Sequence, residues 1–222
     1  MEFQKTGTEV FIHGLGQGPE SWRETLENMH RGNDVFCPDL SQMLGEGTYA
    51  DLYRSFSEAC GQLPGPLRLY GLSLGGVLAL HYGIEHPENV HSLVLIAAQY
   101  TMPTGLLVFQ SAVFRLLPGR AFAGMGIGKR EMLTLTASMA KLDFSRNLEK
   151  VSCPVLVVCG EKDRANRRAA EDLARRLPHA RLYLCPGAGH EVNRDAPEAL
   201  AAQLEHFYGE NGTVRSCHTD PR

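Results

Sequence analysis

The sequence predicts an α/β fold: one parallel sheet of about six strands with helices on both faces. Three observations predict it. Strand-like and helix-like runs alternate along most of the 222 residues, and strict alternation implies parallel strands joined by crossover helices. The pentapeptide Gly71-Leu72-Ser73-Leu74-Gly75 stands between a strand-like and a helix-like run. Downstream, Asp163 and then His190 each follow a further strand-like run.

Taken in order, the first strand falls near residues 8–13, because Val10-Phe11-Ile12 is apolar and runs into the glycine-rich loop His13-Gly14-Leu15-Gly16-Gln17-Gly18. A helix near 20–30 carries Trp22. A short strand near 34–37, a helix near 49–62, a strand near 67–71 and a helix near 75–86 follow. The run Leu93-Val94-Leu95-Ile96 marks a strand near 92–97. Pro154-Val155-Leu156-Val157-Val158-Cys159-Gly160 reads as a buried parallel strand near 154–159, apolar, β-branched and closed by glycine. A helix near 166–177, a strand near 181–185 and a helix near 196–208 complete the pattern. Residues 99–147 break the alternation and read as an insertion. That segment is rich in Met (Met102, Met125, Met132, Met139), in Phe (Phe109, Phe114, Phe122) and in Gly. Residues 1–208 read as a single domain. Residues 209–222 lack apolar periodicity and are expected to form a disordered tail.

Composition narrows the function classes. A hydrophobic content of 43% over this length can bury one substantial core. A net charge of −3 without any long basic run argues against a nucleic-acid partner. No apolar stretch is long enough to span a bilayer, and the residues after Met1 carry no apolar signal region. A cytoplasmic protein is expected. The six cysteines are scattered, without a Cys-x-x-Cys pair, and are expected to be buried free thiols. No His and carboxylate grouping has metal-ligand spacing, so neither metal nor cofactor is expected. Nothing in the sequence fixes an oligomeric state.

The chemistry centres on Ser73. A Gly-x-Ser-x-Gly pattern arises by chance in roughly one chain in ten of this size, so its setting must carry the argument. Between a strand and a helix the turn is sharp enough to strain the serine backbone and lift its hydroxyl out of the sheet. A serine hydroxyl needs a base within hydrogen-bond reach. His190, in the small-residue loop Gly187-Ala188-Gly189-His190, can supply it, and Asp163 can orient the imidazole. The order Ser73, Asp163, His190 belongs to one serine-triad arrangement among several.

With the loop at His13-Gly14, the tryptophan at Trp22 and the pentapeptide at 71–75, residues 8–208 resemble the α/β-hydrolase family, in particular its His-Gly-x7-Trp subgroup of lipases and esterases. The resemblance implies an α/β-hydrolase fold whose usual N-terminal hairpin is reduced, with a small lid inserted at 99–147. It implies Ser73, Asp163 and His190 as catalytic residues, and the backbone N–H groups of Leu15 and Leu74 as an oxyanion hole. Some family members carry the acid after the strand before the lid, where this chain has Gln99-Tyr100. The proline common shortly after the acid is replaced here by Arg164-Ala165-Asn166. His13 would shape its loop, and His81, His86 and His91 would be packing or surface residues. Gln17, Met102, Phe109 and Met125 are candidate pocket residues. The implied activity is serine hydrolysis of small to medium apolar carboxylic esters. The same machinery could serve a thioesterase, an acyltransferase or a C–C bond hydrolase, and a sensor that binds a small molecule is the alternative of another class.

Overall fold

The computed structural model describes residues 7–30, 35–102, 119 and 126–211. Among them six strands form one sheet: β1 (Glu9–Ile12), β2 (Val35–Phe36), β3 (Leu67–Leu72), β4 (Val90–Ile96), β5 (Val155–Gly160) and β6 (Ala180–Cys185). Their order is β2-β1-β3-β4-β5-β6, and every pairing is parallel. The helices are α1 (Arg23–Asn28), α2 (Tyr49–Gly61), α3 (Leu74–Glu85), α4 (Lys129–Met139), α5 (Arg164–Arg176), α6 (Val192–Asp195) and α7 (Pro197–Asn211). The last helix runs three residues beyond position 208, where the sequence pattern places its end.

Side chains alternate across a strand, and here both sets are apolar. Val10, Ile12, Leu69, Leu93, Leu95, Val155 and Val157 point to one face and pack with residues of α2, α3 and α5. Phe11, Tyr70, Leu72, Val94, Ile96, Leu156 and Val158 point to the other, where Trp22, Met29, Leu200 and Leu204 cover them. The central strands β3 and β5 are buried at every position. That explains their unbroken apolar runs, since helices cover both faces of a parallel sheet. Helix α3 is buried almost all round, with only His81 and Glu85 outside the buried set, and sits at the centre of the molecule.

Local chemistry sets the helix starts. Thr48 caps α2 by accepting from the Asp51 N–H at 3.2 Å, and Asp163 caps α5 by accepting from the Asn166 N–H at 3.2 Å. Such caps satisfy N–H groups that the helix leaves orphaned. Helix α4, within the segment read as an insertion, buries Met132, Leu135, Thr136 and Met139. That i, i+3, i+4, i+7 stripe is a regular amphipathic pattern. The helix packs on α2, and its Ser138 Oγ accepts from the Tyr49 N–H at 2.8 Å. Among the described residues no helix is long and apolar enough to cross a membrane.

Candidate active site

The C-terminal ends of β1, β3, β4, β5 and β6 lie on one edge of the sheet, where loops of an open α/β sheet gather ligands. At the end of β3 the chain turns directly into α3. Ser73 sits at that turn with φ 54° and ψ −111°, a backbone conformation a non-glycine residue rarely adopts. Close packing enforces the turn. A Cβ added at Gly75 would lie 2.2 Å from the Ile12 carbonyl oxygen at the end of β1. The Ser73 N–H donates to the Ile96 carbonyl at 2.8 Å. The Ser73 side chain makes no cap bond to its own helix, so the hydroxyl is left for other partners.

Two further loops reach the same edge. The loop after β5 carries Asp163 and the loop after β6 carries His190. They are stitched together: Lys162 N–H donates to Ala188 O at 2.9 Å, and Gly187 N–H donates to Glu161 Oε2 at 3.0 Å. A Cβ at Gly160 would lie 2.0 Å from the Gly189 carbonyl oxygen, so the contact admits no side chain there. Asp195 also accepts from the Gly189 N–H at 2.7 Å. His190 is thereby brought to Ser73, with Nε2 3.1 Å from Oγ. Its Nδ1 lies 2.9 Å from Asp163 Oδ2. The Asp163 side chain is 5% exposed and that of His190 is 45% exposed. The line therefore runs from a buried carboxylate to an accessible hydroxyl.

A buried carboxylate should resist ionisation. For Asp163 burial does push the pKa up, but hydrogen bonds from His190 and Asn166 outweigh it and hold the carboxyl below its ordinary value. Asn166 was not singled out in the sequence. Its Nδ2 lies 3.0 Å from Asp163 Oδ1 and 2.8 Å from Oδ2, and its own Oδ1 accepts from Gln99 Nε2 at 2.7 Å. The only sequence signal for it was a polar residue three positions into a helix that starts at an aspartate.

The loop after β1 lies on the other side of Ser73. His13 Nε2 accepts from the Leu40 N–H at 3.1 Å, and Nδ1 donates to Gly14 O at 2.9 Å. Burial lowers the His13 pKa, consistent with a neutral ring in this tautomer. Leu74 is the first residue of α3, so its N–H has no intrahelical acceptor. Leu15 and Leu74 line a shared cleft with His13, Gln17, Leu44, Ile127 and Leu135. Helix α4 and the residues just before it thus wall the cleft.

Of the candidate pocket residues, Gln17 does line this cleft, but it is buried and its amide is engaged. Its Oε1 accepts from the Gly14 N–H at 3.3 Å and from Asn193 Nδ2 at 3.2 Å. Met102 is half-buried against the core and is not among the residues lining this cleft. Phe109 and Met125 lie outside the described residues. His81 stacks on Tyr53 at a ring distance of 3.6 Å and packs near Phe144, away from Ser73. Among the described residues no group of three or more His, Cys, Asp or Glu could hold a metal ion.

A model of the alpha/beta hydrolase family matches residues 10–203, and the chain belongs to that family. It is 32% identical over 252 residues to the pimeloyl-[acyl-carrier protein] methyl ester esterase of Chromobacterium violaceum, covering 88% of this chain and 98% of that protein. It is 28% identical over 239 residues to the protein of the same name from Aromatoleum aromaticum, covering 88% and 96%. Among solved structures, a hydrolase from Pseudomonas aeruginosa superposes with a TM-score of 0.75 at 18% identity, covering 94% of this chain and 92% of that one. That last likeness speaks to fold.

Proposed function

We propose that this chain is a serine hydrolase of small to medium apolar carboxylic esters. Ser73 Oγ attacks the ester carbonyl carbon, and His190 Nε2 takes its proton. Asp163 accepts the Nδ1–H, holds the tautomer and stabilises the imidazolium. The carbonyl oxygen, now an oxyanion, sits between the N–H groups of Leu15 and Leu74. The ester C–O bond breaks, His190 returns the proton to the departing alkoxide, and an acyl group remains on Ser73. Water then attacks that acyl group, giving up its proton to His190. The new acyl–oxygen bond replaces the bond to Ser73, whose oxygen recovers the proton.

The observation that carries this reading is the hydrogen-bond line from Ser73 Oγ through His190, 3.1 Å and 2.9 Å long, beside an apolar cleft. The Ser73 strain and the Leu74 N–H, which has no intrahelical acceptor, fit the same reading. The substrate class follows from the cleft walls, in which Leu15, Leu44, Leu74, Ile127 and Leu135 dominate. Residues 99–147 act as the lid on this reading, with α4 as the part that borders the cleft. The relatives named pimeloyl-[acyl-carrier protein] methyl ester esterase fit the hydrolysis of a carboxylic ester. Five free cysteines among the described residues, four of them buried, suit a reducing cytoplasm.

A p-nitrophenyl ester series from acetyl to octanoyl tests the proposal. An added methylene in an apolar pocket is worth about tenfold or more in kcat/KM. The rate is expected to climb with acyl length until the cleft is full, and then to fall. A flat series, or a preference for charged acyl groups, contradicts the proposed substrate class.

A further inference from the structure

Resting on the proposed triad, a second layer of polar residues behind it takes on a specific task. Asn166 Nδ2 lies within hydrogen-bond distance of three atoms: Asp163 Oδ1 at 3.0 Å, Asp163 Oδ2 at 2.8 Å and His190 Nδ1 at 3.1 Å. An amide nitrogen carries two protons and no acceptor. The two carboxylate oxygens subtend far less than the angle between the amide's N–H bonds, so one N–H serves both. While the other stays clear of Nδ1, His190 Nδ1 donates its own proton to Asp163, which leaves the Nε2 lone pair facing Ser73. If that second N–H turns onto Nδ1 instead, Nδ1 becomes an acceptor and the ring proton moves to Nε2. In that tautomer His190 cannot take a proton from Ser73. The same asparagine can therefore support either state, and its amide orientation decides which.

Something must hold that orientation. Asn166 Oδ1 accepts from Gln99 Nε2 at 2.7 Å, the shortest bond in the group. Gln99 follows β4, after which Ala97 takes a left-handed conformation, φ 49°. Asn166 is buried, while Gln99 is half-buried, so the chain of amides runs from the surface inward to the carboxylate.

We propose that Gln99 and Asn166 form a positioning relay in which Gln99 pins the Asn166 amide, so that one N–H stays shared between the Asp163 oxygens and the other stays off His190 Nδ1. Neither residue touches the reacting atoms. The relay selects the productive His190 tautomer and leaves substrate binding alone.

The two members should behave as one unit. Asn166→Ala removes the side-chain donor from Asp163, and kcat is expected to fall about tenfold or more, with KM within about twofold. Gln99→Ala keeps the donors but frees the amide to turn, so kcat should fall about threefold to tenfold. In the double variant, Gln99→Ala should add nothing to Asn166→Ala, because its effect passes through the missing amide. The imidazole ¹⁵N signals of His190 in the resting protein give a readout that simple loosening would not move. Gln99→Ala should raise the Nε2–H tautomer fraction, and Asn166→Ala should not. Unchanged tautomer populations in Gln99→Ala, or multiplicative losses in the double variant, would overturn the relay. If Asn166→Ala fails to fold, the half-buried Gln99→Ala still decides through its ¹⁵N spectrum. Should Ser73→Ala retain full ester turnover, the hydrolase reading would fall, while the ¹⁵N comparison would still settle the relay.

Discussion

The two sides of Ser73 are built differently. On one side Asp163, Asn166, Gln99 and His190 are joined by directional hydrogen bonds of 2.7–3.2 Å. On the other, Leu15, Leu44, Leu74, Ile127 and Leu135 shape a cleft by apolar contact. Hydrogen bonds fix angles and protonation states, whereas apolar packing fixes volume. On the proposed reading the polar side runs the chemistry and the apolar side chooses the acyl group. The two should then be separable: polar-side variants change rate without changing preference, and apolar-side variants do the reverse.

The largest effect belongs to Ser73. Loss of a triad nucleophile can cost on the order of 10⁶ in kcat, so Ser73→Ala should abolish turnover in a steady-state ester assay while its circular dichroism stays that of the parent. Asp163→Asn keeps the shape but supplies a donor where His190 needs an acceptor. A loss of roughly 10⁴-fold is expected, with the order of preference among acyl lengths unchanged. A shift in preference would break the separation between the two sides.

Asp163 also carries a pH signature. Its carboxyl is held below the ordinary value by the His190 and Asn166 bonds acting against burial. A carboxylate with a depressed folded-state pKa contributes stability above its unfolded value near 4, and that contribution is lost as pH falls through the folded value. Urea melts between about pH 5 and pH 2 should therefore lose stability more steeply for the parent than for Asp163→Asn, which lacks the titrating group. Equal slopes would contradict the assignment of the depressed carboxyl to Asp163.

Much of this was legible in the sequence, for identifiable reasons. Strands β3 and β5 are buried on both faces, so their apolar runs could not be mistaken for half-exposed strands. The Ser73 turn was legible because the packing against Ile12 requires glycine at position 75. Helix α4 was harder. Its stripe of Met132, Leu135, Thr136 and Met139 is regular, but it is embedded among glycines and methionines that read as irregular chain. Composition makes Met102 a pocket candidate but says nothing about direction; it is half-buried against the core and is not among the residues lining the described cleft. Gln17 lines the cleft, and its amide is spent on Gly14 and Asn193. Asn166 and Gln99 were invisible because they are 67 positions apart, and a bond between two amides leaves no periodic trace.

Two smaller effects sharpen the comparison from the apolar side and from its border. Leu135 is 1% exposed and lines the cleft. Leu135→Ala should lengthen the preferred acyl chain by about one or two methylenes in the ester series. It should also lower stability by about 2–4 kcal/mol, read by denaturant melts. Asn193 links Gln17 to the Ser21 carbonyl, with Nδ2 at 3.2 Å and 3.1 Å from its two acceptors. Asn193→Ala should cost about 1–3 kcal/mol of stability in the same melts, from the buried partners it leaves unpaired.

The central claim is that Ser73 is the group that forms the covalent intermediate. Treating the protein with a fluorophosphonate and mapping the adduct by peptide mass spectrometry tests it most directly. The account predicts one adduct per chain, located on Ser73 and lost in both Ser73→Ala and His190→Ala. An adduct on another residue, or no adduct in a protein that still hydrolyses esters, would contradict it.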